Sequence, residues 1–162
     1  MKHKTAYLGM FTALAMILSY VESLLPVFYG IPGVKLGLAN SMSLVILYLA
    51  GVPEAFCVSV IRVVLSGFLF GNLFSIAYSL AGALLSLAVM ALMKKSGVFS
   101  IAGVSMLGGI SHNIGQLVIA MLLVENLNLL YYLPVLLLSG LVTGLVIGIL
   151  SSEIRKRLPE NL

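Results

Sequence analysis

The chain has 162 residues, 61% of them hydrophobic and 9% charged, with a mean hydropathy of +1.18. That is far more apolar than the usual globular mix of about half apolar and a quarter charged, so a water-soluble fold of this size is excluded. The formal charge of +4 does not mark a nucleic-acid binder, because seven of the nine Lys and Arg residues fall at the ends of apolar segments expected on one side of a membrane.

Six apolar segments follow in order, at about residues 5–25, 36–50, 54–70, 73–93, 101–124 and 131–151. A spanning helix needs roughly 20 residues, so all but the second approach the required length. The connections at 26–35, 51–53, 71–72, 94–100 and 125–130 carry the Gly, Pro and Asn typical of helix ends and turns. Apolar runs continue almost to the C-terminus, which does not fit a cleaved signal followed by a soluble domain. The expectation is a single all-α transmembrane domain over 1–162, a six-helix bundle. With both termini cytoplasmic, Lys2, Lys4, Lys94, Lys95, Arg155, Lys156 and Arg157 all lie inside, leaving Lys35 and Arg62 as exceptions.

In the first segment, Gly9-x-x-x-Ala13 gives a smooth face for helix approach, and Glu22 stands near the outer end. Glu22 can pair with Lys35 or Arg62, or touch a ligand directly. Lys35, beside Ile31-Pro32-Gly33, either snorkels to water or attracts an anion from a loop folded over a site. The second segment is short, and short or interrupted helices often line sites. Its Asn40-x-x-Ser43-Leu44-Val45-Ile46 matches Asn113-x-x-Gln116-Leu117-Val118-Ile119 in the fifth, the pairing an inverted three-plus-three repeat requires.

The third segment carries Arg62 near its middle. An arginine there costs at least about 2.5 kcal/mol, so a ligand anion, a buried glutamate or backbone carbonyls must offset it. Cys57, the one cysteine, excludes an internal disulfide and a multi-cysteine metal site and reads as apolar filler. In the fifth segment, Ser111-His112-Asn113-Ile114-Gly115-Gln116 places His112, Asn113 and Gln116 on overlapping faces of one helix. That stripe serves either as polar glue between helices or as a site for a polar group. Gly67-x-x-x-Gly71 and Gly140-x-x-x-Gly144-x-x-x-Gly148 are further small-residue faces that imply close packing.

Enzymatic function is not expected. The sequence has no aspartate and no phosphate-binding Gly-x-x-x-x-Gly-Lys-[Ser/Thr] loop, so neither ATP hydrolysis nor aspartate-rich prenyl transfer is available. Leu65-Ser66-Gly67 lacks the preceding glycine of an exposed nucleophile turn. No cofactor and no metal site is expected.

Three runs carry a resemblance across nearly the whole chain: Pro32-Gly33-Val34-Lys35-Leu36-Gly37-Leu38-Ala39-Asn40, Arg62 with Gly71-Asn72, and His112-Asn113-Ile114-Gly115-Gln116. They resemble the family called heptaprenyl diphosphate synthase component I, also named the Gx transporter family. That family is similar to the substrate-binding S components of energy-coupling factor transporters, six-helix proteins that work with a coupling protein and two ATPases. The resemblance implies an outward-opening substrate site formed by Lys35, Asn40, Arg62, Asn72, His112, Asn113 and Gln116, with Gly9 and Ala13 docking the coupling protein. It also implies the plasma membrane of a bacterium. A second role stays open, as a non-transporting partner of quinone, prenyl-synthesis or flavin-based electron-transfer proteins.

Overall fold

In the computed structural model, residues 2–24 and 37–157 are described, and every regular element among them is helical. These are α1 (Lys2–Leu24), α2 (Leu38–Leu49), α3 (Val52–Phe70), α4 (Leu73–Ser96), α5 (Ile101–Val124) and α6 (Leu133–Arg157), with a 3-10 helix at Leu127–Tyr132. Five helical stretches are long and apolar enough to cross a membrane; α2 is not. The protein is thus a membrane helical bundle. Large apolar side chains such as Phe68, Leu73 and Leu138 point outward, where lipid takes the place of water.

The helix ends follow local chemistry more closely than hydropathy. Gly51, at φ 113°, reverses the chain ahead of Pro53 in the first turn of α3. Asn72 caps α4 reciprocally with Ser75, each side chain bonding the other's backbone N–H. Ser100 accepts from Gly103 N–H at the start of α5. The expected ends at 93 and 151 stop where apolarity stops. The helices run on to Ser96 and Arg157, because polar residues outside the hydrocarbon still favour helix, and Lys156 pairs with Glu153 within α6.

Helix α2 packs against α1, α3, α4 and α6, and Leu44, Val45, Ile46 and Leu47 are at most 1% exposed. The remaining neighbours close a ring: α1 on α3, α3 on α4, α4 on α5, and α5 on α6. The α1–α3 contact has no counterpart of similar extent between α4 and α6, so the repeat suggested by Asn40 and Asn113 does not extend to the packing. At about 18 Å, α2 fills only part of the roughly 30 Å core. Beside α2 the interior is left hollow.

The C-terminal end of α2 meets the cations of α4 and α6. Lys94 Nζ donates to Leu47 O at 2.6 Å and lies 4.9 Å from the Tyr48 ring, while Arg155 lies 5.3 Å from the same ring. A cation at the C-terminus of α2 satisfies an orphan carbonyl and opposes the helix's partial negative charge. Substituting Lys94→Met is expected to destabilise the bundle by about 1.5–3 kcal/mol, the value of a charged hydrogen bond. Thermal midpoints in detergent check this, with exposed Lys95→Met expected to stay near wild type.

Candidate functional site

The hollow is a cavity of about 350 Å³ to which all six helices contribute. Its lining on α4 runs from Ser75 to Met90, fifteen positions apart and so about 22 Å along the helix, and the cavity is deep and narrow. Leu44, Met90 and Ile147 form its apolar floor.

Arg62 projects into this space from α3 and is 8% exposed. Its Nη2 donates to Asn40 Oδ1 at 2.9 Å, which ties the guanidinium to the first turn of α2. Among the described residues, Arg62 Nε and Ser66 Oγ have no hydrogen-bond partner. The two residues stand one helical turn apart on the same face. Glu22 reaches the same place from α1: it accepts from Gly37 N–H, and its charge interacts with Arg62. Gly37 adopts φ 70°, a left-handed conformation that glycine permits without strain, and so turns the chain into α2.

On the opposite wall His112, Asn113 and Gln116 all line the cavity. Gln116 is 5% exposed and His112 half-buried, both at the α4–α5 seam, where a Cβ on Gly82 would strike Gln116 Cγ and the His112 carbonyl. Asn113 has a packing duty as well, since its Nδ2 donates to Leu136 O at 2.7 Å and ties α5 to α6. The stripe thus supplies both interhelical glue and cavity lining.

Other expected site residues fall elsewhere. Asn72 is exposed, caps α4 and is not among the lining residues, although its neighbours Gly71 and Ser75 are. Lys35 lies outside the described residues. Gly9 and Ala13 are exposed on α1, with nothing within 4 Å of a Cβ placed on Gly9. Cys57 is also exposed. Gly140, Gly144 and Gly148 press α6 onto α5, opposite Gly109, Ser105 and Ala102.

Sequence offers Ser66 only as a poor candidate for a nucleophile turn, yet it lines the cavity together with Ser79, Ser86, Ser105, Thr143 and Tyr78. A signal existed. Ser75, Ser79, Gly82 and Ser86 recur at spacings of four, three and four, one stripe of small and hydroxyl residues along α4. Among the described residues, the chamber offers one guanidinium, one carboxylate, an imidazole, amides and hydroxyls within apolar walls. That combination binds and orients a small polar molecule.

A family model described as heptaprenyl diphosphate synthase component I matches residues 11–154. No curated protein and no solved structure matches the chain.

Proposed function

Proceeding from the chain's membership of the heptaprenyl diphosphate synthase component I family, we propose that it is a membrane-embedded substrate-binding or transport subunit for a small anionic or amphipathic metabolite. The observation that carries this reading is Arg62, buried at a cavity wall inside the bundle with Nε lacking a hydrogen-bond partner among the described residues. Intramembrane charge is retained at a cost, and a cavity beside it gives that charge something to bind. Asn40, His112, Asn113 and Gln116 supply the hydrogen bonds, and Lys35 adds charge.

In this reading the bundle makes six crossings, α2 being the short one, with both termini on the cytoplasmic side of a bacterial plasma membrane. The shared basic end of α4 and α6 supports that orientation, and it turns the cavity outward. Energy comes from partner proteins, and the exposed Gly9 and Ala13 give a coupling protein a smooth place to dock. The chain itself is not catalytic: it contains no aspartate for holding magnesium diphosphate.

The family description favours one alternative, a non-catalytic membrane component linked to heptaprenyl diphosphate synthesis; quinone metabolism and flavin-based electron transfer are variants of that alternative. Mass spectrometry of gently purified protein separates the two. The transport reading expects a bound small molecule whose affinity falls about tenfold in His112→Ala and in Gln116→Ala, the loss of one hydrogen bond each. Co-purification with a prenyl-chain or quinone enzyme, with no small molecule retained, would sink it.

A further inference from the structure

The hydrogen bonds already made around the cavity determine which polar atoms are left over. A guanidinium only donates and a main-chain carbonyl only accepts. Asn40 therefore turns its oxygen to Arg62, at 2.9 Å, and Asn113 turns its NH2 to Leu136 O, at 2.7 Å. Each amide keeps its other end. Asn40 retains Nδ2, a donor, and Asn113 retains Oδ1, an acceptor.

Gln116 has both ends left. It is 5% exposed and lines the cavity, its Cγ packs over Gly82 of α4, and its amide makes no hydrogen bond to any described residue. Neither its amide atoms nor Asn113 Oδ1 are sealed in the way that Ser66 Oγ is, so all three open onto the cavity that both residues line. A nine-tenths buried amide is costly unless something takes its hydrogen bonds. Three residues apart on α5, the two side chains start from Cβ atoms about 5–6 Å apart, within reach of one small molecule.

We propose that this wall reads a planar edge in which an N–H stands beside a C=O, as in a lactam or a cyclic imide, and that the cavity's ligand carries that edge. Asn113 Oδ1 accepts from the N–H, and Gln116 Nε2 donates to the neighbouring C=O. The facing wall fixes the direction, because Arg62 and the remaining Nδ2 of Asn40 are donors only and take an acceptor. The inference names the ligand class of the substrate-binding reading above and rests on it. An ester, a carboxylate or a diphosphate would bring Asn113 Oδ1 nothing but another acceptor and leave it unpaired. A lone hydroxyl would serve one of the two side chains and not both.

The test uses the full chain in detergent, with 2-pyrrolidone and succinimide as probes and their affinities read by ligand-observed NMR titration. Asn113 also ties α5 to α6, so its part is tested from the ligand side. In γ-butyrolactone a ring oxygen replaces the N–H of 2-pyrrolidone at nearly the same shape, and it should bind at least about tenfold more weakly. Glycerol should not compete. Gln116→Met keeps the length and volume of the side chain and removes both amide groups. Because Gln116 holds no other described residue, this variant should keep the wild-type thermal midpoint while its affinity for 2-pyrrolidone falls about tenfold.

Equal binding of 2-pyrrolidone and γ-butyrolactone, unchanged affinity in Q116M, or no binding of either probe overturns the assignment. If any of these occurs while a co-purified molecule is still lost on Arg62 substitution, the amide-edge site fails and the substrate-binding reading stands. Probe binding that needs both the N–H and Gln116, with no small molecule retained on purification, supports the site and counts against transport.

Discussion

Arg62→Met is expected to abolish ligand retention and to destabilise the bundle by about 1.5–3 kcal/mol, the range for losing a hydrogen bond to a charged group. Removing the guanidinium leaves the Asn40 carbonyl oxygen without the donor that now serves it, and takes from Glu22 the charge of Arg62. Two origins of the loss can be separated. If stability falls because a charge has lost its counterpart, neutralising the other partner should restore it, and R62M/E22Q should approach wild-type stability. Ligand retention should stay absent in the double variant, since neither change returns a guanidinium to the cavity. Arg62→Lys should sit between, keeping the charge and losing the planar fork that reaches Asn40 and the cavity together. Thermal midpoints and mass spectrometry of the four proteins provide both readouts. A double variant as unstable as R62M would mean that Arg62 acts through packing of its stem instead of its charge.

Much of this site was legible because a membrane makes polar residues conspicuous. Arg62 stands out in an apolar run, and His112, Asn113 and Gln116 share a helical face at spacings that sequence alone displays. The shortness of the second segment was visible too, although its consequence was not. That α2 is buried among four other helices and leaves a hollow beside it depends on which helices surround it, and this is tertiary information. Glu22 illustrates the same limit. Its partner N–H is fifteen residues away across a connection, so no periodicity links them.

Asn72 has a local duty that its sequence context also displays. Asn-x-x-Ser ahead of an apolar run is a helix-start pattern, and the resemblance that marked it as a ligand residue competed with that local signal. The serines were overlooked because a hydroxyl in a membrane helix can satisfy itself on a carbonyl one turn back, as Ser111 does on Leu107 and Thr143 on Ser139. Their presence is therefore weak evidence of an interior face. Only their stripe along α4 would have revealed it.

The glycines provide the second large effect, and they show why one sequence pattern has two opposite meanings. Gly9-x-x-x-Ala13 and Gly140-x-x-x-Gly144 read alike, as small residues four apart in an apolar helix. Their surroundings differ. A Cβ on Gly109 would stand 2.2 Å from Gly140 O, one on Gly140 2.6 Å from Gly109 O, and one on Gly144 2.7 Å from Ser105 O. Each obstacle is backbone, which no rotamer change can move aside, so α5 and α6 must separate along their length. Gly109→Ala is expected to cost about 3 kcal/mol, the upper part of the overpacking range, and Gly144→Ala a similar amount. The pair G109A/G144A should cost less than the sum of the two, because helices already parted by one methyl have made room for the second. Gly9→Ala meets nothing within 4 Å and removes a flexible residue from a helix interior, so it should leave stability unchanged or raise it by about 0.5–1 kcal/mol. Thermal midpoints in detergent rank the four variants. Should Gly9→Ala prove as damaging in membranes as Gly109→Ala is in detergent, α1 would be shown to carry a neighbour there, and the small-residue face would belong to an assembly in the bilayer.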